Sequence, residues 1–364
     1  MENRQHSDAG TARPPRRVYI DLVRILAILL VMFIHTNDKG ATLFLEKRES
    51  AFFGFYLFSD VFIRMAVPLF FMVSGAVLMG REEPYGTLLK KRFARFAVVL
   101  VVASLLIYCY RCFRASAMTF SVSDFLKRLY SGEISTPYWY LYRYLAYILM
   151  LPLLRKLAAG MGDREFRWMF WMFALIRALN YVDFLLWKGT ASHESHFAFP
   201  INMDYVFYPL MGWYIDSKQR QGKLDGRTAL ALVAGSALTI GISCFMVCYK
   251  CNLLDRWDKN TSDSFHSILT FVPAVTVFYL CGLWEQRHRP GPKLAGAISL
   301  VGGLTFGIYL LEYPCRRELV GIYDALEPIL HSYLASWVWV FAAFLLAGAI
   351  TFLLKKVPGV RRYL

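Results

Sequence analysis

The chain has 364 residues, of which 57% are hydrophobic and 18% are charged, and its mean hydropathy is +0.40. Such a composition lies well above that of an ordinary soluble domain and excludes a soluble globular enzyme. The formal net charge of +15 is compatible with nucleic acid as a partner. The sequence contains no basic and aromatic nucleic-acid module, however, and membrane topology accounts better for the charge.

Apolar stretches of about 20 residues, each long enough to cross a bilayer as a helix, recur along the whole chain. They number ten, at roughly 19–37, 52–79, 93–110, 138–157, 166–187, 199–216, 228–249, 265–284, 296–315 and 332–354. The second stretch is long enough to be tilted, or kinked at Pro68. We therefore predict an all-α, polytopic membrane protein of about ten transmembrane helices, with little chain left for loops.

The distribution of basic residues predicts the orientation of these spans. Of the 41 Lys and Arg residues, 24 lie in segments predicted to be inside, 13 in outer loops and four within spans. By the positive-inside rule, both termini are then cytoplasmic. Residues 1–17 are too basic and Pro-rich to be structured and lack a signal-peptide cleavage site. We predict a disordered tail at 1–17, a membrane domain at 18–358 and a short cytoplasmic tail at 359–364.

The cysteine and histidine patterns do not predict a metal site. The C-x-x-C spacings at Cys109–Cys112 and Cys248–Cys251 suggest a metal or a disulfide. Cysteines near helix ends are more often small apolar residues, however. The stretch "HESH" at 193–196 lacks the spacing that places two imidazoles on one helix face. We expect no metal cofactor.

The first span, "IDLVRILAILLVMFIHTND" at 20–38, contains Asp21, Arg24 and His35. Ionisable residues cost at least about 2.5–3.5 kcal/mol at the middle of a bilayer, so they mark a polar cavity or a relay. From Arg24 to His35 a helix turns by about 1,100°, within about 20° of three full turns, and rises by about 16 Å. The two side chains therefore share one face near opposite ends of the span. Asp21 lies on the same stripe, where it can pair with Arg24.

A plainer interpretation exists for each of these residues. Asp21 and Arg24 can extend toward the cytoplasmic headgroups, and His35 can simply close the outer end of the helix. Charges in other spans favour a functional interpretation, and they are Arg64, Arg143, Arg177, Asp183, Asp204 and Glu312. Arg92 and Arg95, three residues apart at the start of the third span, are either positive-inside residues or a pair that grips phosphate.

Several motifs, in order along almost the whole chain, resemble the integral-membrane acyltransferases of acyltransferase family 3. Arg24 and His35 match the family's Arg, ten residues, then His in the first helix. Arg92 with Arg95 resembles its Arg-x-x-Arg at the entry to the third helix. Further family segments are similar to "AVPLFFMVSGAVL" (66–78), "YWYLYRYLAYILMLPLL" (138–154), "YPLMGWYI" (208–215) and "FGIYLLEYP" (306–314). Where many relatives have His in the late span, this chain has Glu312, a carboxylate that can accept a proton or hold a sugar hydroxyl.

The resemblance implies transfer of an acyl group, usually acetyl, from cytoplasmic acyl-CoA to a hydroxyl of an extracytoplasmic or lipid-linked glycan or another hydroxylated acceptor. It implies a multi-pass protein of a bacterial cytoplasmic membrane, with acetyl-CoA as donor, and leaves a homo-oligomer open. Coenzyme A is too charged to cross a bilayer, but its pantetheine arm is thin and flexible. Arg24, Arg92 and Arg95 lie at the cytoplasmic end, where its phosphates would stay. The rise of about 16 Å to His35 is comparable with the reach of that arm.

His35 is the candidate for the chemistry. Its imidazole can take the proton of an acceptor hydroxyl as that hydroxyl attacks the thioester. It can instead accept the acyl group itself in a two-step relay, and the sequence leaves both routes open. Asp21 is too far along the helix to touch His35, so a carboxylate partner must come from another span. Glu312 and Asp204 are the candidates.

Two further residues are predicted to support the site. Asp21 orients Arg24 through the pairing described above. Arg64 neutralises a carboxylate, stabilises developing oxyanion charge, or forms a structural salt bridge within the bundle.

Two other classes of function use the same buried charges. A transporter of a small polar solute, such as an amino acid or acyl compound, needs no phosphate grip, so Arg92 and Arg95 discriminate it from an acyltransferase. A scaffold for glycan assembly predicts that His35 can be replaced without loss.

Overall fold

The computed structural model describes residues 17–114, 119–188, 203–266 and 268–364. Over these ranges the fold is mainly helical and no residue lies in a β-strand, which confirms the predicted all-α class. The predicted tail, apart from Arg17, and the His193–His196 stretch lie outside the described residues.

The helices are defined here in chain order. They are α1 (Val18–Ile34), α2 (Leu43–Glu46), α3 (Phe53–Ile63), α4 (Ala66–Leu78), α5 (Tyr85–Thr87), α6 (Ala94–Arg114), α7 (Val122–Ser131), α8 (Trp139–Gly160), α9 (Asp163–Trp187), α10 (Asp204–Arg220), α11 (Gly226–Leu253), α12 (Lys259–His266), α13 (Phe271–His288), α14 (Pro292–Gly302), α15 (Thr305–Glu318), α16 (Val320–Leu326), α17 (Ser332–Leu354) and α18 (Pro358–Arg361). A π-helical turn, Leu88–Phe93, joins α5 to α6, and short 3-10 turns lie at Asn37–Lys39 and Thr136–Tyr138.

Each of the ten predicted spans overlaps at least one of these helices. Among the described residues, five stretches are long and apolar enough to cross a membrane, and the bent pair α14–α15 makes six if it is one span. The five are Phe53–Leu78, Tyr85–Arg114, Asp163–Trp187, Gly226–Leu253 and Ser332–Leu354. The full set of ten crossings and the cytoplasmic location of both termini remain predictions.

Helix α1 lies at the centre of the bundle. Eleven of its 17 residues are buried, and α3, α4, α13, α14, α15 and α17 all pack against it. Apolar residues on every side explain this position, since a helix that is hydrophobic all round is stable only when it is enclosed. The polar residues of α1 are therefore presented to neighbouring helices or to cavities between them.

Helices α4 and α10 cross closely through two glycines. A Cβ added to Gly75 would lie 1.8 Å from the Pro209 carbonyl oxygen, and one added to Gly212 would lie 2.0 Å from the Met72 carbonyl oxygen. Small residues allow helix backbones to approach closely in membranes, where packing rather than hydrophobicity drives association. The crossing holds α4 and α10 together as one wall of the site described below.

The second predicted span is interrupted one turn before Pro68. Helix α3 ends at Ile63 and α4 begins at Ala66, so the break falls at Arg64 and Met65. Pro68 is the third residue of α4; it has no N–H to bond the carbonyl oxygen of Arg64 one turn earlier, and its ring crowds that carbonyl. A kink caused by Pro68 is expected at this point, one turn before the proline, and the interruption also lies at a residue of the candidate site.

A bend of 53° separates α14 from α15 and was not predicted from the sequence. At the bend Gly302 packs so closely on α1 that a Cβ there would lie 2.5 Å from the Cβ of Asp21. The ammonium of Lys355 donates a hydrogen bond of 2.5 Å to the carbonyl oxygen of Gly303. Beyond the bend, α15 packs along α1 and carries Glu312 toward the end of that helix.

Candidate active site

A cavity of about 390 Å³ lies beside His35 at the C-terminal end of α1, and we call it the outer cavity. Helices α1, α4, α8, α9, α10 and α15 contribute to its walls. Its charged or ionisable lining residues are His35, Arg64, Arg177 and Asp204, and its aromatic ones are Phe70, Phe71, Trp139, Tyr140, Tyr205, Tyr208 and Tyr309. The cavity therefore combines charge with aromatic faces.

His35 and Glu312 are in direct contact at the edge of the outer cavity. The Nδ1 atom of His35 lies 2.9 Å from Oε1 of Glu312. Glu312 is fully buried, and its second oxygen lies 3.4 Å from Nε of Arg316, one turn further along α15. Glu312 does not line the cavity but His35 does, so Nε2 is the imidazole nitrogen left for a bound molecule. Of the two carboxylates predicted as partners for His35, the structure brings Glu312 to it.

Two ion pairs contribute side chains to the lining of the outer cavity. Nη2 of Arg64 lies 2.7 Å from Oδ1 of Asp60, one turn earlier on α3. Arg177 on α9 is paired with Asp204 at the start of α10. Asp204 therefore lines the same cavity as His35 but contacts a guanidinium rather than the imidazole.

A second cavity, of about 260 Å³, lies beside Arg24 and is called the inner cavity. Arg24 and Arg95 both line it, together with Gly302, Gly303 and other residues around the bend between α14 and α15. Nη1 of Arg24 lies 3.0 Å from Oδ1 of Asp21, so the predicted pairing within α1 is present. Two guanidinium groups thus face one cavity on the side that the sequence predicts to be cytoplasmic.

The structure separates Arg92 from Arg95. Arg92 does not line the inner cavity; both Arg92 and Arg155 instead bind the carboxylate of Glu83. The hydrogen bond from Arg92 lowers the pKa of Glu83 to about 2. Arg155 also donates two hydrogen bonds, of 3.1 and 2.8 Å, to the carbonyl oxygen of Leu78 at the end of α4. The predicted guanidinium pair is therefore divided between a cavity and an ion-pair cluster.

The two cavities adjoin at three aromatic residues. Phe70, Tyr140 and Tyr309 line both of them. The ring of Tyr140 packs on the ring of Phe70 with a centroid distance of 5.8 Å, and on that of Tyr309 with 5.9 Å. The hydroxyl of Tyr309 donates a hydrogen bond to the carbonyl oxygen of Pro137. Arg24 and His35 therefore lie in separate chambers that meet at one row of rings.

Sequence reasoning missed several charged partners in this region. Asp60 and Arg316 each stand four residues from a residue that was singled out, and the i, i+4 spacing was a usable signal for both. Glu83 lies in a connection between helices, where no period points to a partner. Arg177 was noted only as a charge within a span.

A family model described as an acyltransferase domain matches residues 17–356, nearly the whole chain. The chain belongs to this acyltransferase family. The protein is therefore a multi-pass membrane acyltransferase. No curated protein and no solved structure matches the chain. All of the site residues predicted from the sequence fall within the matched acyltransferase domain, as do the three aromatic residues between its cavities.

Proposed function

We propose that this membrane acyltransferase moves an acyl group, acetyl by preference, from cytoplasmic acetyl-CoA to a hydroxyl of an extracytoplasmic or lipid-linked glycan. The observation that carries the proposal is the position of His35. One of its ring nitrogens contacts the buried carboxylate of Glu312, and the same side chain lines the outer cavity. A carboxylate that fixes the tautomer and orientation of an imidazole is the usual arrangement around a histidine general base.

In the proposed reaction the acyl group moves from the sulfur of coenzyme A to the oxygen of the acceptor hydroxyl, without net redox change. Nε2 of His35 removes the proton of the acceptor hydroxyl while the hydroxyl oxygen forms a bond to the thioester carbon. The carbon–sulfur bond then breaks, and the departing thiolate of coenzyme A takes the proton back from the imidazolium. Glu312 stabilises the positive charge on the ring between these steps.

The donor is proposed to enter from the inner cavity. Arg24 and Arg95 line that cavity and can hold the phosphates of coenzyme A, because guanidinium groups bind phosphate through charge-assisted hydrogen bonds. The rise of about 16 Å from Arg24 to His35 along α1 matches the reach of an extended pantetheine arm. The nucleotide then stays on the cytoplasmic side of a bacterial cytoplasmic membrane while the thioester approaches His35.

The acceptor is proposed to bind in the outer cavity, which offers a sugar both an aromatic surface and polar side chains. Trp139 lines this cavity and is 42% exposed in total, and an aromatic ring of this kind packs on the apolar face of a pyranose. The ion pair of Arg177 with Asp204 supplies donors and acceptors for ring hydroxyls. Arg64, held by Asp60, is close enough to the same space to stabilise oxyanion charge.

The test is to supply membranes with acetyl-CoA labelled on the acetyl group and to follow the label into each envelope fraction. We expect label in a glycan fraction with the wild-type protein and a loss of at least about 10²- to 10⁴-fold with His35→Ala, the usual contribution of a general base. His288→Ala, an exposed histidine at the end of α13, is the matched control. Transfer that survives in His35→Ala would remove His35 from the mechanism, and passage of an intact solute without transfer would favour a carrier.

Labelling in the absence of an acceptor separates the two routes through His35, with His35→Asn as the negative control. In His35→Asn the amide can still contact Glu312, but it can neither take a proton nor carry an acyl group. In the relay, wild-type protein incubated with labelled acetyl-CoA and no acceptor retains label on His35. In direct transfer it retains none, and label leaves the donor only when acceptor is present.

A further inference from the structure

We propose that Phe70, Tyr140 and Tyr309 form a closed aromatic gate between the two cavities, which seals the membrane and restricts the donor to short acyl chains. The three residues belong to α4, α8 and α15, so three separate helices meet there. They are the residues lining both the cavity of Arg24 and the cavity of His35. We use the term aromatic gate for these three side chains only.

The rings are in contact with one another. Centroid distances of 5.8 Å for Phe70 with Tyr140 and 5.9 Å for Tyr140 with Tyr309 lie within the range of packed aromatic pairs. Carbon atoms approach no closer than about 3.5–4.0 Å, so a methylene chain has no room between packed rings. A donor that threads between them must therefore displace at least one ring.

The three rings differ in their freedom to move. Tyr309 is 6% exposed, and its hydroxyl is hydrogen-bonded to the carbonyl oxygen of Pro137, which fixes it. Phe70 has no polar atom on its side chain and is only partly buried, as is Tyr140. Tyr140 also packs on the rings of Phe71 and Tyr144, so we expect Phe70 to be the ring that moves most readily and Tyr309 the one held most firmly. Apolar constrictions of this kind close aqueous paths in channels.

The selection of donors rests on the proposed function, because the acyl end of acyl-CoA must pass the gate before the thioester reaches His35. Acetyl is the smallest group that can do so. At a tight apolar contact each added methylene costs about 10- to 200-fold in kcat/KM. We therefore expect the wild-type protein to prefer acetyl-CoA to butyryl-CoA by about 10²-fold or more.

Widening the gate tests the selectivity. Tyr140→Ala and Phe70→Ala should each bring butyryl transfer to within about tenfold of acetyl transfer, since the steric penalty per methylene is removed. Tyr205→Ala is the matched control, because Tyr205 lines the outer cavity but not the inner one. An unchanged preference in both gate variants, or an equal change in Tyr205→Ala, would show that the gate does not select the donor.

A second measurement tests the seal without any enzymatic activity. Val67 lines the outer cavity and Val77 the inner cavity, on the same helix as Phe70 and on either side of it. Single Val67→Cys and Val77→Cys variants in cells are treated from outside with a membrane-impermeant methanethiosulfonate, and the modified position is read by mass spectrometry. With the gate intact, position 67 should react and position 77 should react slower by an order of magnitude or more. Adding Tyr140→Ala or Phe70→Ala should bring the two rates together.

The two readouts distinguish a failed gate from a failed function. Equal labelling of positions 67 and 77 with all three rings present would overturn the seal. The expected labelling pattern in a protein that transfers no acyl group would leave the seal standing and overturn the proposed acyltransfer from coenzyme A.

Discussion

His35 on α1 and Glu312 on α15 approach to 2.9 Å although they come from opposite ends of the chain. The carboxylate is buried and does not line either cavity, while the imidazole lines the outer one. Glu312 is therefore positioned to act through His35 rather than on a substrate. Replacement of Glu312 should therefore lower kcat and leave substrate binding unchanged.

Glu312→Gln should lower kcat by about 10²- to 10⁴-fold, the effect of removing the orienting carboxylate from a catalytic histidine. KM for acetyl-CoA should stay within about twofold, because a residue that acts on the rate alone leaves uniform binding unchanged. Steady-state kinetics of acetyl transfer measures both. Glu318→Gln, which removes an exposed carboxylate on the same helix, is the matched control. A change confined to KM would refute the positioning role.

Arg95 and Arg92 should give different defects. Arg95→Gln removes a charge from the inner cavity, and the loss of a charged hydrogen bond of about 1.5–3 kcal/mol predicts about 10- to 100-fold weaker binding of coenzyme A. Arg92→Gln leaves Glu83 with Arg155 alone, so its main effect should be a lower unfolding temperature. Calorimetric binding and thermal unfolding of purified protein measure the two, with Lys91→Gln, an exposed cation of the same segment, as control. Equal losses of coenzyme A binding in both variants would instead support the prediction that Arg92 and Arg95 bind phosphate together.

The ion-pair cluster at Glu83 predicts a pH dependence of stability. Its pKa is lowered from 4.5 to about 2 by the hydrogen bond from Arg92. A carboxyl with a depressed folded-state pKa contributes stability that is complete above the unfolded value and is lost as the pH falls from about 5 toward 2. The difference in unfolding temperature between wild type and Glu83→Gln should therefore be largest at pH 6 and shrink by pH 3. Glu82→Gln, the exposed neighbour, should differ little from wild type at either pH, and a gap that widens in acid would contradict this account.

The crossing of α4 and α10 predicts a large effect of one methyl group. Gly75→Ala places a carbon 1.8 Å from the Pro209 carbonyl oxygen, so the helices must move apart. Overpacking of this kind costs about 1–3 kcal/mol or more of unfolding free energy. Gly241→Ala on α11 has open space around it and should be neutral or up to about 1 kcal/mol stabilising. Denaturation in detergent compares the two, and equal stability would mean that the crossing adapts.

The features that depend on one helix could be predicted from the sequence. The spacing of Arg24 and His35 places them about 16 Å apart on one face because helical rise and rotation are local properties. The structure places Arg24 at the inner cavity and His35 at the outer cavity. The pairing of Asp21 with Arg24 follows from the same local geometry.

For features that depend on two helices, the sequence could only reduce the number of candidate partners. The sequence offered Glu312 and Asp204 as partners of His35, and only the packing of α15 against α1 chooses between them. The separation of Arg92 from Arg95 depends on Glu83, which lies in an irregular connection with no period. The aromatic gate draws on three helices, and single aromatic residues are too common in membrane spans to predict such a meeting.

The helix that begins after the bend between α14 and α15 carries both a residue of the aromatic gate and the carboxylate partner of His35. Tyr309 and Glu312 lie three residues apart on the helix that begins at Thr305. The positions of both side chains therefore depend on the position of this one helix. We expect a substitution that displaces α15 to weaken the contact of Glu312 with His35 and to shift Tyr309 together. Passage of the donor and proton transfer at His35 are therefore expected to change together in such a variant.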